Sequence, residues 1–220
     1  MAGPVAVLVS GGIDSAALAV ELAGTHPVVH PLYLRHGLQW EETELAHLRR
    51  FLAAAERPAL RPVSVLELPV ADLYGRHWSL SDGAVPDHST PDEAVYLPGR
   101  NLLFLAKAGV WCERHGVSAI ALAPLKGNPF SDNSPEFYAA MERVLELALG
   151  FRLEILRPYA ALTKAEVIRR SSRLPLELTF SCMDPRQGRH CGRCNKCAER
   201  HRAFREAGVE DRTEYAAPPR

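Results

Sequence analysis

Near the start of the chain stands SGGIDS, residues 10–15, a small polar run between two apolar stretches. Glycines at 11 and 12 remove side chains, so backbone N–H groups can approach an anion closely, and the hydroxyls of Ser10 and Ser15 add donors. Asp14 is the informative member, because a carboxylate beside a polyphosphate repels it unless the acid holds a backbone turn or coordinates magnesium. Neither the lysine-bearing GxxxxGK[ST] loop nor the GxGxxG dinucleotide fingerprint occurs here. The alternative is a plain strand-to-helix turn capped by Asp14.

A second cluster lies near the other end. Cys182, Cys191, Cys194 and Cys197 occur in SCMDPRQGRHCGRCNKC, with eight, two and two residues between them. Four thiolates on short tethers suit a tetrahedral ion, and a closed four-sulfur site has no open position, so zinc in a structural role is expected. An iron–sulfur cluster is the rival, and His190 and His201 are spare imidazoles. Arg186, Arg189, Arg193, Lys196, Arg200, Arg202 and Arg205 surround the cysteines; they read as a solvated face that offsets thiolate charge, or as a polyanion site. Cys112 stands apart in an apolar stretch and reads as a core residue.

Two further segments carry polar groups at helix starts. LPGRN, residues 97–101, offers the planar fork of Arg100 for a carboxylate or phosphate and the amide of Asn101 for a base edge, with a capped turn as the alternative. LTKAEVIRR, residues 162–170, places Thr163 and Glu166 at capping-box spacing and Lys164 in the first turn. A lysine there opposes the helix dipole, which hints that it serves something anionic.

The elements that must position these groups alternate along the chain. Apolar runs of strand length cover residues 5–9, 28–34, 61–68 and 117–123, and helical patterns cover 14–23, 41–56, 101–115, 135–149 and 163–172. Alternation of this kind predicts βαβ units and a parallel sheet. SGGIDS then falls at the carboxyl end of a strand and the amino end of a helix, where α/β folds bind ligands. Residues 76–96, rich in Pro, Asp and Ser, form a long connection of the functional or mobile kind, and the last seven residues read as a frayed tail. With 220 residues, 47% of them hydrophobic, the chain can bury one full core and a small appendage. Its 26 basic and 26 acidic residues cancel, which removes any global argument for nucleic acid as a partner. No apolar run is long enough to span a membrane, and the clustered cysteines point to a reducing compartment, so a soluble cytoplasmic protein is expected.

SGGIDS resembles the PP-loop, which grips the pyrophosphate of ATP and leaves the α-phosphorus open to attack. Taken in order, SGGIDS, PGRN, PYAALTKAE, TFSC and CGRCNKC resemble the 7-cyano-7-deazaguanine synthase family of queuosine biosynthesis, from residue 5 to about residue 204. The resemblance implies an α/β fold with a Rossmann-like parallel sheet flanked by helices, of the PP-loop or adenine nucleotide alpha-hydrolase type, and a small C-terminal zinc-binding segment. It divides the chain into an ATP-binding domain, residues 1–175, and a four-cysteine segment, 176–220. Family members adenylate 7-carboxy-7-deazaguanine with ATP and Mg2+, let ammonia displace AMP to give an amide, then activate and dehydrate that amide to the nitrile. By position, Ser10, Gly11, Gly12, Asp14 and Ser15 would bind pyrophosphate. Asp14, Ser15 and Lys164 would act in catalysis, Arg100, Asn101 and Asp132 would meet the substrate, and the four cysteines would hold Zn2+. The family also implies a homodimer.

Two stretches depart from the family pattern. The chain has Arg35-His36-Gly37 for the usual Asp-Tyr-Gly, and APLKGNPFSDNSPEF, residues 123–137, where Gly-Val-Asn and Tyr-Pro-Asp-Cys-Arg are usual. Asp132 survives, with Asn133 and Ser134 in place of Cys and Arg. A paralogue that stops at the amide, uses another acid or amine, or modifies tRNA is therefore a second expectation, and a nucleotide-responsive binding module a third.

Overall fold

Five short strands form one parallel sheet in the order β3-β2-β1-β4-β5 in the computed structural model, which describes residues 2–81 and 83–219. The strands are β1 (Val5–Leu8), β2 (Val29–Arg35), β3 (Ser64–Glu67), β4 (Ala119–Ala121) and β5 (Glu154–Leu156). The helices are α1 (Ile13–Leu22), α2 (Glu41–Ala55), α3 (Ala71–Tyr74), α4 (Arg100–His115), α5 (Pro135–Leu149), α6 (Lys164–Arg170) and α7 (Asn195–Ala207). Residue 82 of the long connection and residue 220 of the expected tail lie outside the described residues.

A parallel strand with helices on both faces has no polar side, so β1 reads as an unbroken apolar run with Val5, Ala6 and Val7 fully buried. Alternate residues serve opposite faces. Val5, Val7 and Tyr33 pack with α1, α2, α6 and α7, whereas Ala6, Leu32 and Ile120 pack with α4 and α5. Beside β1, Val5 pairs with Val29 of β2 and Ala6 with Ile120 of β4, so the loop after β1 emerges at the centre of the sheet.

Three elements have no counterpart among the expected ones, of which α3 is a single turn of four residues. β5 is only three residues long, and its run RLEIL carries two charges, so it falls below the length at which a strand pattern is legible. α7 is obscured by its charges, yet Cys197, Ala203, Phe204 and Ala207 line its buried side, and the last three enter the core that β1 and α1 share. Arg200, expected on a solvated face, is buried, 1% exposed. Its guanidinium donates to Thr213 Oγ1 (2.7 Å), Thr179 Oγ1 (2.9 Å) and the Leu176 carbonyl (2.7 Å), which satisfies the donors that burial would otherwise strand. Cys112 is fully buried, and burial pushes its thiol up to about 12, which suits a core residue and not a nucleophile.

The long connection is held against the cysteine segment. His88 donates its amide to the Arg193 carbonyl (3.1 Å), the Asn195 amide donates to the Pro86 carbonyl (3.0 Å), and Asn195 Nδ2 donates to the Thr90 carbonyl (2.6 Å). Trp78 stacks on Trp40, with ring centroids 5.8 Å apart.

Candidate functional site

The turn from β1 into α1 is tight. The Ser10 amide donates to Ser15 Oγ (3.0 Å), the Gly12 amide donates to Ser10 Oγ (3.2 Å), and the two hydroxyls lie 3.2 Å apart. Gly12 is the residue before α1 and no side chain caps the helix, so its first N–H groups stay available to a ligand. Asp14 is therefore not the cap; it lies in the first turn and points elsewhere. Gly11 is enclosed. A Cβ there would lie 2.5 Å from Glu44 Cγ and 3.0 Å from the carbonyl oxygens of Glu44 and Phe180, and the Phe180 amide donates to the Gly11 carbonyl (2.6 Å). Gly11→Ala is expected to cost about 1–3 kcal/mol through overpacking and to raise the KM for ATP, because the shifted loop carries the cradle. Denaturant midpoints and ATP kinetics measured together check it.

Asp14 belongs to a buried charge network. Its Oδ2 lies 3.2 Å from Lys164 Nζ, Lys164 Nζ lies 2.6 Å from Glu199 Oε1, and Glu199 Oε2 lies 2.7 Å from Lys196 Nζ. The α6 capping box fixes Lys164: Thr163 Oγ1 accepts from the Glu166 amide (3.3 Å), and Glu166 Oε2 accepts from the Thr163 amide (2.7 Å). Burial raises the pKa of Asp14 above the usual carboxylate range although Lys164 opposes it. Burial would lower that of Lys164, but Asp14 and Glu199 outweigh it and raise it. Burial works against ionisation of Glu199 too, yet Lys164 and Lys196 hold it down to about 2. Asp14 Oδ1 is buried and has no hydrogen-bond partner among the described residues, which leaves an oxygen for a cation.

A cleft of about 570 Å³ runs from this network across the carboxyl ends of the strands. Ser10, Gly12, Asp14 and Lys164 line one part of it and Arg100 and Asn101 another; Ser15 and Asp132 line an adjoining pocket of about 210 Å³ that shares Ser10, Arg100 and Asn101. Gly11 supports the turn from beneath. The Arg100 guanidinium lies over the Phe104 ring at 5.9 Å and makes no hydrogen bond or ion pair among the described residues, which leaves a cation available to an anionic ligand. Asn101 is committed otherwise: its amide donates to Asp132 Oδ2 and its Nδ2 to the Asp132 carbonyl, both at 2.9 Å. Gly99, not Asn101, caps α4.

Several residues of the cleft escaped the sequence reading. Tyr33 donates to Glu44 Oε2 (2.7 Å), and burial pushes the pKa of Glu44 up, opposed by that bond. Glu41 accepts from the His36 amide (2.6 Å), and Tyr96 stacks on Phe130 with centroids 4.3 Å apart. The available signal was Glu41 and Glu44 at helical spacing with Leu45 and Leu48, acids on a buried face.

The four cysteines lie apart from the cleft wall but adjacent to its supports. Their sulfurs all lie within 4.8 Å of one another, buried, with Cys191 and Cys197 3.9 Å apart and Cys182 and Cys194 likewise. Sulfurs at about 2.3 Å from one tetrahedral ion are about 3.8 Å apart, so the set fits a single ion. The Cys191 amide (3.2 Å) and the Asp184 amide (3.3 Å) donate to Cys182 Sγ, and those of Arg193 and Cys194 to Cys191 Sγ (both 3.3 Å), which suits thiolates.

The family model of "Queuosine biosynthesis protein QueC" matches residues 4–208. Among curated relatives, a 7-cyano-7-deazaguanine synthase of Syntrophobacter fumaroxidans is 36% identical, over 95% of this chain and 94% of its own length. One from Myxococcus xanthus is 36% identical over 95% and 96%, and one from Methanothermobacter thermautotrophicus 30% over 94% and 97%. In fold the chain is similar to a 4-thiouridine synthetase solved with RNA and bound ATP, with a TM-score of 0.51 and 15% identity; the match covers 94% of this chain and 50% of that one.

Proposed function

Since the chain belongs to the family of queuosine biosynthesis protein QueC, we propose that it is a carbon–nitrogen ligase that makes 7-cyano-7-deazaguanine from 7-carboxy-7-deazaguanine, ammonia and ATP. The observation that supports this best is the meeting, on one cleft, of an anion cradle, Ser10 to Ser15, and the guanidinium of Arg100, which has no ion-pair partner among the described residues. The chemistry asks for both. A carboxylate resists attack because its leaving group is poor, and adenylation supplies a good one that ammonia displaces as AMP to give the amide; a second ATP then activates the amide oxygen, which departs on AMP to leave the nitrile, each activation releasing pyrophosphate.

In this reading Gly12, the amino end of α1 and the hydroxyls of Ser10 and Ser15 hold the pyrophosphate. Lys164 stabilises charge that develops on phosphorus, and Glu199 and Asp14 keep it placed and protonated. Arg100 receives the substrate carboxylate, positioned by the Asn101–Asp132 pair. Asp14 Oδ1 would hold magnesium, which when bound offsets phosphate charge. The four cysteines would hold zinc, which fixes the segment that carries Glu199 and Lys196. No side-chain nucleophile is needed. A homodimer and a cytoplasmic site of action complete the reading; among the described residues no helix is long and apolar enough to cross a membrane.

Mass spectrometry of the products after incubation with ATP, magnesium, ammonia and the acid tests this. Nitrile together with AMP is expected. Product that stops at the amide would favour the paralogue that the altered 123–137 segment suggests, and unchanged acid with folded, metal-loaded protein would refute the substrate.

A further inference from the structure

His36 is the first residue after β2, at the carboxyl end of the strand beside β1, and it lines the cleft together with Ser10 and Arg100. It is 6% exposed. Its ring is gripped from one side only. Nδ1 lies 3.0 Å from the Leu34 carbonyl and 3.1 Å from Glu41 Oε1, and Phe104 of α4 meets the ring edge-on at 4.9 Å. A carbonyl oxygen and a carboxylate can only accept, so Nδ1 must carry the hydrogen. The lone pair of the neutral ring is then at Nε2, which is buried and has no hydrogen-bond partner among the described residues.

Glu41 is built to keep this arrangement. Burial would lift its pKa, but hydrogen bonds from the His36 and Gly37 amides and the approach of the ring hold it below the usual carboxylate range. A carboxylate that stays ionised keeps Nδ1 protonated. The other charged groups nearby do not offer Nε2 a hydrogen: Glu44 accepts from Tyr33, and the Arg100 guanidinium lies over the Phe104 ring at 5.9 Å. A buried acceptor without a donor is costly, and the groups that can reach it must enter through the cleft.

We propose that His36 Nε2 is a specificity acceptor for an N–H of a bound purine-type base, with Glu41 as the residue that positions the ring. This rests on the proposed function for its two candidate donors, the 6-amino group of adenine in ATP and the N–H edge of the deazaguanine acid. Both present the same chemistry, a planar ring with an N–H donor, and the adjoining pocket, which His36 also lines, offers flat aromatic walls in Phe104, Tyr96 and Phe130.

The test has two parts. Nitrogen-15 spectra of the His36 ring, taken at a pH where the ring is neutral, are expected to show a protonated Nδ1 and a bare Nε2 whose shift moves when ATP or the acid is added. This needs no turnover, so it stands even where the proposed reaction fails. A protonated Nε2, or no shift with either ligand, overturns the proposal. In kinetics, His36→Leu is expected to raise one KM about tenfold with a smaller change in kcat, and His36→Gln, whose amide oxygen can accept, to recover most of it. If the donor is adenine, the wild type discriminates against purine riboside triphosphate, which lacks the 6-amino group, and His36→Leu does not. If it is the acid, the KM for the acid rises instead. Unchanged values of both in folded, metal-loaded His36→Leu overturn the proposal, whereas a wild type that makes no AMP from this acid refutes the proposed function instead.

Discussion

Removal of the metal by a chelator, or the substitution Cys197→Ser, is expected to unfold the segment from residue 176 onward and to reduce AMP formation to background. Without an ion, four buried thiols within 4.8 Å of one another have no cohesion of their own. Structural zinc sites of this kind contribute about 10–16 kcal/mol of apparent binding energy to folding in small peptides, more than the apolar content of this segment can replace. The consequence travels because the cysteines bracket the supports of the cradle. Cys182 follows Phe180, whose amide is bonded to the Gly11 carbonyl, and Cys194 is the residue before α7, whose first turns carry Lys196 and Glu199. Loss of α7 also uncovers Phe204, which packs in the main core, a loss of the order of 3–5 kcal/mol on the scale of a Phe→Ala truncation. Release of metal to a chromogenic chelator, far-ultraviolet circular dichroism and AMP formation should therefore follow one another. Undiminished AMP formation after complete metal release would refute the coupling.

The parts of the site that were legible in the sequence share one property: their function is written in residue types next to each other. SGGIDS and the cysteine run are local, since a phosphate cradle is a turn and a metal site needs short tethers. Strand β1 was legible because a central parallel strand is apolar throughout. What was hidden depends on contacts far apart in sequence. Lys164 showed only as a lysine at an awkward end of a helix, and its partners Asp14 and Glu199 come from 150 residues before it and 35 after it. Arg200 looked solvated because its acceptors, Thr179, Thr213 and the Leu176 carbonyl, are set by the fold. His36 showed only as a departure from the family pattern and Glu41 only as an acid on an apolar helix face, because a locked tautomer is a matter of geometry and not of composition.

The Lys164 network carries the second large effect. Lys164→Met keeps the length of the side chain and removes its charge, which leaves Asp14 and Glu199 as carboxylates with side chains only about a fifth exposed. Breaking a buried pair in this way costs about 3–5 kcal/mol, so the variant is expected to unfold at markedly lower denaturant and to lose AMP formation. Lys196 still faces Glu199, so Asp14 is the group left worse placed. Burial already raises its folded pKa with Lys164 present, and it rises further without it. A carboxyl with a raised folded pKa favours the folded state where it is protonated, and that contribution is lost as pH rises through the folded value. The instability of Lys164→Met should therefore ease towards acid pH and worsen towards neutral. The double variant Asp14→Asn, Lys164→Met separates the two roles, because it removes the unpaired carboxylate but restores no cation. Stability should return in large part, while AMP formation should stay at background, since the charge that develops on the phosphorus still lacks its counterpart. Recovery of both would mean that the Asp14–Lys164 pair only holds the fold together; recovery of stability alone assigns the pair, which the double variant removes together, to the reaction.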